Sequence, residues 1–323
     1  MNTEHTVLYR KYRPENFDAV FGQDHIVKVL KGSLSLGNIG HAYLFSGPRG
    51  TGKTTITACI IPFLEDIVMA DCDVDAPDLN ILLPGNITET IDFIGFQRPI
   101  IDYDTCNHCG VCYQSCNFNA ITKDIVIKKS SCEGCKVCEY VCPTNAIAMN
   151  DYRIGSIFKR DTYYGPMVDA RLIPGEESSG KLVAEVRKLA IQVARKQEKH
   201  TIVIDGSPGI ACNVISAITG VSKAIIVTEP SVSGLHDLER VVTLVKTFSV
   251  DAKVLINKYD LEPNYVKKIK EFCELQKLEV ILEVPFDRNM VLSISNLTIP
   301  SINNITFFES QKWHDFISYL IQN

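Results

Sequence analysis

Two runs of cysteine carry the most specific chemistry in the chain: Cys106-x2-Cys109-x2-Cys112-x3-Cys116 and Cys132-x2-Cys135-x2-Cys138-x3-Cys142-Pro143. Three thiolates at two-residue intervals can wrap three corners of an iron–sulfur cubane, and a fourth ligand must come from elsewhere. Where two such runs occur together, the fourth cysteine of each ligates the other cluster. Cys106, Cys109, Cys112 and Cys142 are thereby assigned to one 4Fe-4S cluster, and Cys132, Cys135, Cys138 and Cys116 to a second. The flanks repeat as well. "FNAI" at Phe118–Ile121 follows the first run and "TNAI" at Thr144–Ile147 the second, with Asn117 standing where the second run has Pro143. Structural zinc sites also use C-x2-C pairs, but zinc does not require four cysteines per run, repeated at one spacing.

The second chemistry is phosphate binding. "HAYLFSGPRGTGKTT", His41 to Thr55, contains Gly47-x4-Gly52-Lys53-Thr54 after an apolar strand, and a helix can begin at Lys53. Backbone N–H groups of the turn through Gly47, Gly50, Thr51 and Gly52 would cradle phosphates; Lys53 would neutralise them and the Thr54 hydroxyl would bind Mg²⁺. Pro62 falls in the helical stretch that follows, where an internal proline costs ~3 kcal/mol or more, so the helix is expected to kink or stop there. Next, "IVMADCDVDAPDLNILL" reads as a short strand ending in Asp71, Asp73 and Asp75. Carboxylates just past a strand's end suit Mg²⁺ and a nucleophilic water, although a solvated acidic turn has the same composition. "TIVIDGSPG", Thr201–Gly209, ends in Asp205 followed by Gly206 and Gly209, a Walker-B-like end with a turn able to sense a γ-phosphate.

These residues need strands that deliver them to one edge. "AYLFS", the two acidic strands, "KAIIVTEP" (Lys223–Pro230) and "AKVLINKYD" (Ala252–Asp260) alternate with amphipathic helical stretches. Alternation of this kind implies an α/β fold, a doubly wound and mostly parallel sheet. A long helix is expected from Lys181 to about Lys196, and the stretch around Trp313 reads as a packing helix. Cys59, Cys72, Cys212 and Cys273 are expected to be buried structural cysteines.

The 323 residues are 46% hydrophobic and 22% charged, with a net charge of −5. That composition is ordinary for a globular protein and argues against general nucleic-acid binding. Arg10, Lys11 and Arg13 are diluted by Glu4, Glu15 and Asp18. No apolar run approaches membrane-spanning length, and no signal-peptide pattern opens the sequence, so a cytoplasmic location is expected. Cytosolic proteins rarely keep structural disulfides, so the crowding of eight of the twelve cysteines between Cys106 and Cys142 points to metal.

From Thr51 onward the chain resembles the MinD-type (deviant Walker A) ATPases, in particular those with an inserted two-cluster ferredoxin domain. The resemblance rests on "TGKTT", "ADCDVDAPDL", both cysteine runs, "YGPMVDARL", "GEESSGKLV", "IDGSPGIACNVISAITG", "VTEPSVSGLHDLERV" and "LINKYDL", in that order. It implies ATP and Mg²⁺ at Lys53, Thr54 and Thr55, with Asp73 as the catalytic switch aspartate, Asp71 as its strand-end partner and Asp205 as the Mg²⁺-linked residue. Asn257 would read the adenine edge, while "NKYD" also fits the guanine-reading N-K-x-D pattern. The implied activity is nucleotide-gated electron transfer through the two clusters, by analogy with nitrogenase iron protein. An unidentified redox partner or iron–sulfur acceptor and a homodimer come with it. The alternative is an iron–sulfur carrier of the Mrp type. Before the P-loop, Leu8 to Thr55 looks like the opening of a bacterial DNA polymerase III gamma/tau clamp-loader subunit; a clamp-loader fragment is therefore a third functional reading, the least favoured because the later parts of that subunit do not follow. The sequence thus reads as a mosaic joined within Gly50–Thr55: a clamp-loader-like extension over 1–40, an ATPase domain over 41–97 and 151–323, and a ferredoxin insert over 98–150. MinD-type loops carry a lysine that reaches a dimer partner's phosphates; Pro48 and Arg49 occupy that region here.

Overall fold

A computed structural model describes residues 42–47, 50–176 and 179–321. The clamp-loader-like segment 1–40, with Pro48 and Arg49, lies outside the described residues. Strand β1 (Ala42–Gly47) and β2 (Ile67–Asp71) are buried at every position. Such continuous apolar strands form where helices cover both faces of a parallel sheet. Among the described residues, nine strands make one sheet in the order β3-β4-β5-β2-β6-β1-β7-β8-β9. From β5 (Gly165–Leu172) through β6 (Thr201–Pro208), β7 (Lys223–Thr228), β8 (Asp251–Asn257) and β9 (Val280–Val284), neighbours run parallel. This is the mostly parallel doubly wound fold expected.

Helix α1 (Lys53–Ile60) gives way at Pro62 to a single 3-10 turn, Ile61–Phe63, so the helix stops rather than kinks. Below it, Trp313 is fully buried and packs edge-on against Phe63 and Phe308.

The remaining edge is built differently. Strands β3 (Gly85–Ile101) and β4 (Ile147–Thr162) form a long antiparallel hairpin, and β4 pairs antiparallel with β5. Strand β3 is the edge of the sheet, and one end of the hairpin leads straight into the cysteine-bearing segment. The sequence boundary at 98 and 150 falls on one rung of it, since Arg98 stands opposite Asn150 and pairing continues to Ile101 and Ile147. Among the described residues no helix is long and apolar enough to cross a membrane.

Candidate functional site

Strands β1, β2 and β6 bring the phosphate-binding residues together because their carboxyl ends lie side by side, the usual ligand edge of an open parallel sheet. Asp71 and Asp205 are register partners, and Phe45 of β1 stands beside Asp205. Gly52 takes a left-handed conformation (φ 90°) immediately before α1, and a Cβ there would come within 2.6 Å of Asn257 Nδ2. Only glycine suits both demands. The first N–H groups of a helix have no partner within it, which suits a phosphate at the start of α1.

Around this turn the charges are crowded. Asp205 accepts hydrogen bonds from Thr54 Oγ1 (2.6 Å) and Thr57 Oγ1 (3.2 Å). Asp71 is fully buried and accepts from the backbone N–H of Asp73 (3.0 Å) and of Leu79 (3.1 Å), so it pins both ends of the loop that carries Asp73. Burial pushes the Asp205 carboxyl up to about 7, against the pull of Thr54 and Lys53. Burial likewise lifts Asp73 to about 6 while Lys53 opposes it, and raises Asp71 well above the carboxylate range, reinforced by Asp205. Lys53 is buried, and desolvation lowers its pKa while Asp205 and Asp73 resist. Hard oxygen donors with surplus negative charge, set beside a phosphate-binding turn, fit a Mg²⁺-nucleotide. Thr51 is buried and Thr55 half-buried beside it.

Asn257 makes a contact other than the adenine reading implied by resemblance. Its Nδ2 donates to the Thr51 carbonyl (2.9 Å) and its Oδ1 accepts from Lys258 N–H (3.0 Å), propping the turn. Asp260, the acid of "NKYD", accepts from Phe286 N–H (2.7 Å) and so holds a neighbouring loop. Sequence reasoning missed Thr57, whose signal was its position one helical turn after Thr54. It also missed the buried Asp169, which binds Arg160 through Nε (2.6 Å) and Nη2 (3.1 Å) and Asn80 Nδ2 (3.1 Å).

The cysteine segment, residues 102–146, closes on itself at the hairpin's end through Asp102 N–H to Ala146 O (2.8 Å). Its two halves repeat in the backbone. Short helices α3 (Val111–Gln114) and α4 (Val137–Tyr140) follow the middle cysteines; the element Leu79–Leu82 before β3 is α2. Positive φ recurs at matched positions: His108 with Gly134, Gly110 with Lys136, Asn119 with Asn145. Backbone N–H groups point at matched sulfurs, Ala120 to Cys116 (3.4 Å) and Ala146 to Cys142 (3.2 Å). Cys116, Cys132, Cys135 and Cys138 line a single recess with Ile121, Ile127 and Met149. These are the four cysteines that spacing groups as one set. Of the other set, Cys106, Cys112 and Cys142 pack on the same small core of Ile101, Ile121, Ile125 and Ile147, while Cys109 is exposed. Four cysteines lining one recess with apolar neighbours match the ligand count of a cubane. Burial raises the Cys138 thiol to about 11 and lifts Cys112 as well, so iron must displace a firmly held proton there.

Cys59, Cys72 and Cys273 are buried, as expected, but Cys212 is exposed. The turn after Asp205 lifts the chain to the surface before helix Cys212–Ile218 begins, which corrects the expectation of burial.

Comparison with known proteins agrees with this geometry. The family described as "4Fe-4S binding domain" matches residues 99–122 and 125–148, one cysteine run each. The MinD cell division protein of Aquifex aeolicus has the same fold, with a TM-score of 0.51 at 16% identity, over 87% of this chain and 96% of that one. The DNA polymerase III subunit gamma/tau of Mycobacterium bovis is 60% identical over 108 residues, 32% of this chain but 17% of that subunit. The uncharacterized protein MJ0578 of Methanocaldococcus jannaschii is 31% identical over 282 residues, covering 86% of this chain and 95% of that protein. The chain belongs to the same family as MJ0578, and in it two 4Fe-4S binding repeats are built into a mostly parallel α/β domain of the MinD fold.

Proposed function

We propose that the chain is a nucleotide-gated electron-transfer ATPase. The observation that carries this reading is the recess shared by Cys116 of the first run and three cysteines of the second, set on a hairpin continuous with the nucleotide-binding sheet. A cluster enclosed by four ligands from one chain is suited to passing electrons rather than to being passed on. Lys53 and the first N–H groups of α1 would bind the phosphates, and Thr54 and Asp205 would hold Mg²⁺. Asp73, ionised for the most part at neutral pH, orients the attacking water and accepts its proton; Asp71 fixes the loop it stands on. Mg²⁺, when bound, supplies charge neutralisation at the phosphates, and the two clusters supply one-electron carriers. The nucleotide domain comprises 41–97 and 151–323, the ferredoxin insert 98–150. A homodimer, a redox partner protein and a cytoplasmic setting complete the reading. The exposure of Cys109 and Cys135 favours a second reading, an iron–sulfur carrier of the Mrp type, since open edges let a cluster leave. Anaerobic purification with iron and sulfide analysis, and electron paramagnetic resonance of the reduced protein with and without Mg²⁺-ATP, separates the two. Gating predicts a nucleotide-dependent change in spectrum with iron retained. Release of iron to an apo-acceptor on adding ATP would favour the carrier.

A further inference from the structure

Direct contacts run from the turn after Asp205 to the second cysteine run. That turn leads into helix Cys212–Ile218. Its first residue lies so close to Gly180, in the first turn of helix α5 (Ser179–Lys196), that a Cβ at Gly180 would sit 2.9 Å from the Cys212 Cβ. Lys181, next along α5, donates to the Gly95 carbonyl of β3 (3.3 Å). On the connection before α5, Glu176 accepts two hydrogen bonds from Arg98 Nη2, at 2.7 and 3.0 Å. Arg98 is buried on β3, with its guanidinium 4.0 Å from the ring centre of Tyr152 and 5.1 Å from that of Phe96. The neighbouring residue, Gln97, lies against the cysteines: a Cβ at Gly134, between Cys132 and Cys135, would come within 2.6 Å of the Gln97 carbonyl.

Resting on the gating function proposed above, the geometry points to the Arg98–Glu176 pair as the joint that passes nucleotide state to the cluster held by Cys116, Cys132, Cys135 and Cys138. A buried guanidinium is costly unless paired, and its partner here stands on a connection between elements, not on the sheet. Any shift of the Asp205 turn presses on Gly180 and moves the start of α5, and Glu176 moves with it. Arg98 must then follow its carboxylate or lose it, and β3 carries the second cysteine run with it. The pair 78 residues apart in sequence thus joins two elements that both ends of the device can bias, which is what physical coupling requires. Arg98 and Glu176 are positioning residues; neither lines the phosphate turn or supplies a sulfur.

The test uses the full chain, reconstituted anaerobically, and reads the reduction midpoint of each cluster by redox titration with and without a non-hydrolysable ATP analogue. The wild type is expected to show an analogue-induced shift. Glu176→Gln, which keeps shape but removes charge, is expected to reduce that shift by at least half, with iron content and nucleotide affinity unchanged. Glu176→Asp is expected to restore it. A full shift in Glu176→Gln overturns the inference while leaving gating intact. So does equal loss of iron in both variants, which would mark the pair as merely structural. No shift in the wild type itself overturns the gating function, and the joint with it.

Discussion

Acidifying the nucleotide-free protein from pH 8 to pH 6 should make it more stable, and Asp205 should be the main reason. Burial holds the Asp205 carboxyl at about 7 in the folded chain, whereas an aspartate in an unfolded chain titrates near 3.8. The folded state therefore takes up a proton in a range where the unfolded state takes up none, so the stabilisation is present below pH 7 and is lost as pH rises through it. An aspartate held low by an ion pair behaves in the opposite way. Between pH 8 and pH 6 the folded chain gains nearly one proton at this site, worth about 1.4 kcal/mol. For a unit of this size that corresponds to a rise in Tm of roughly 2–3 °C. Asp73, raised to about 6, adds to the rise in the lower half of the range. The assay is anaerobic thermal unfolding in the presence of a chelator, comparing wild type with Asp205→Asn. The variant should lose most of the rise. Mg²⁺-ATP should reverse its direction in the wild type, because the divalent cation selects the anion. A wild-type Tm that is flat or falls on acidification, or an equal rise in Asp205→Asn, would mean that Asp205 does not take up this proton on folding.

Lys53→Ala should abolish ATP binding by equilibrium dialysis, since Lys53 is the buried cation that faces Asp73 and Asp205; unchanged affinity would contradict that role. Cys116→Ala removes one wall of the recess, and iron should fall from about eight atoms per chain toward about four. Full iron and sulfide in that variant would mean the ligand sets are grouped wrongly. Gly180→Ala forces helix α5 away from Cys212, and overpacking of this kind costs about 1–3 kcal/mol. A urea midpoint equal to wild type would show that the two helices yield freely.

The phosphate turn, the acidic strand ends and the cysteine sets were legible because each depends on spacing within a few residues. "GPRGTGKTT" needs no distant partner to be recognised, and the two cysteine runs declare each other by repetition. The β3–β4 hairpin was not legible. "GNITETIDFIGFQRPII" is buried at only four of its seventeen positions, so neither face shows the apolar alternation that marks a half-buried strand. Its pairing with residues 147–162 is a tertiary fact. Arg98 and Glu176, Asp169 and Asn80, and Asn257 and Thr51 meet across 78, 89 and 206 residues respectively. Nothing local distinguishes those residues from ordinary polar positions. The resemblance to MinD-type ATPases supplied the order of the strands' acidic ends, but not the hydrogen bonds by which Asn257 and Asp260 are occupied.

The hairpin is also irregular, once between Ile87 and Glu89 and again nearer the cysteines. Its register shifts between Phe93 and Ile94 and again between Ile94 and Phe96, with the Ile154 side chain filling the space where Gly95 has none. Such interruptions bend a strand and sharpen its twist. They make this patch the fulcrum of a lever whose outer arm, Phe96 to Ile101, extends about 17 Å at ~3.3 Å per residue. A change in bend of about 10° would swing Ile101, and the first cysteine just beyond it, through roughly 3 Å. Lys181 holds the Gly95 carbonyl, so the helix grips the lever at its pivot, where the smallest displacement of α5 gives the greatest travel at the sulfurs.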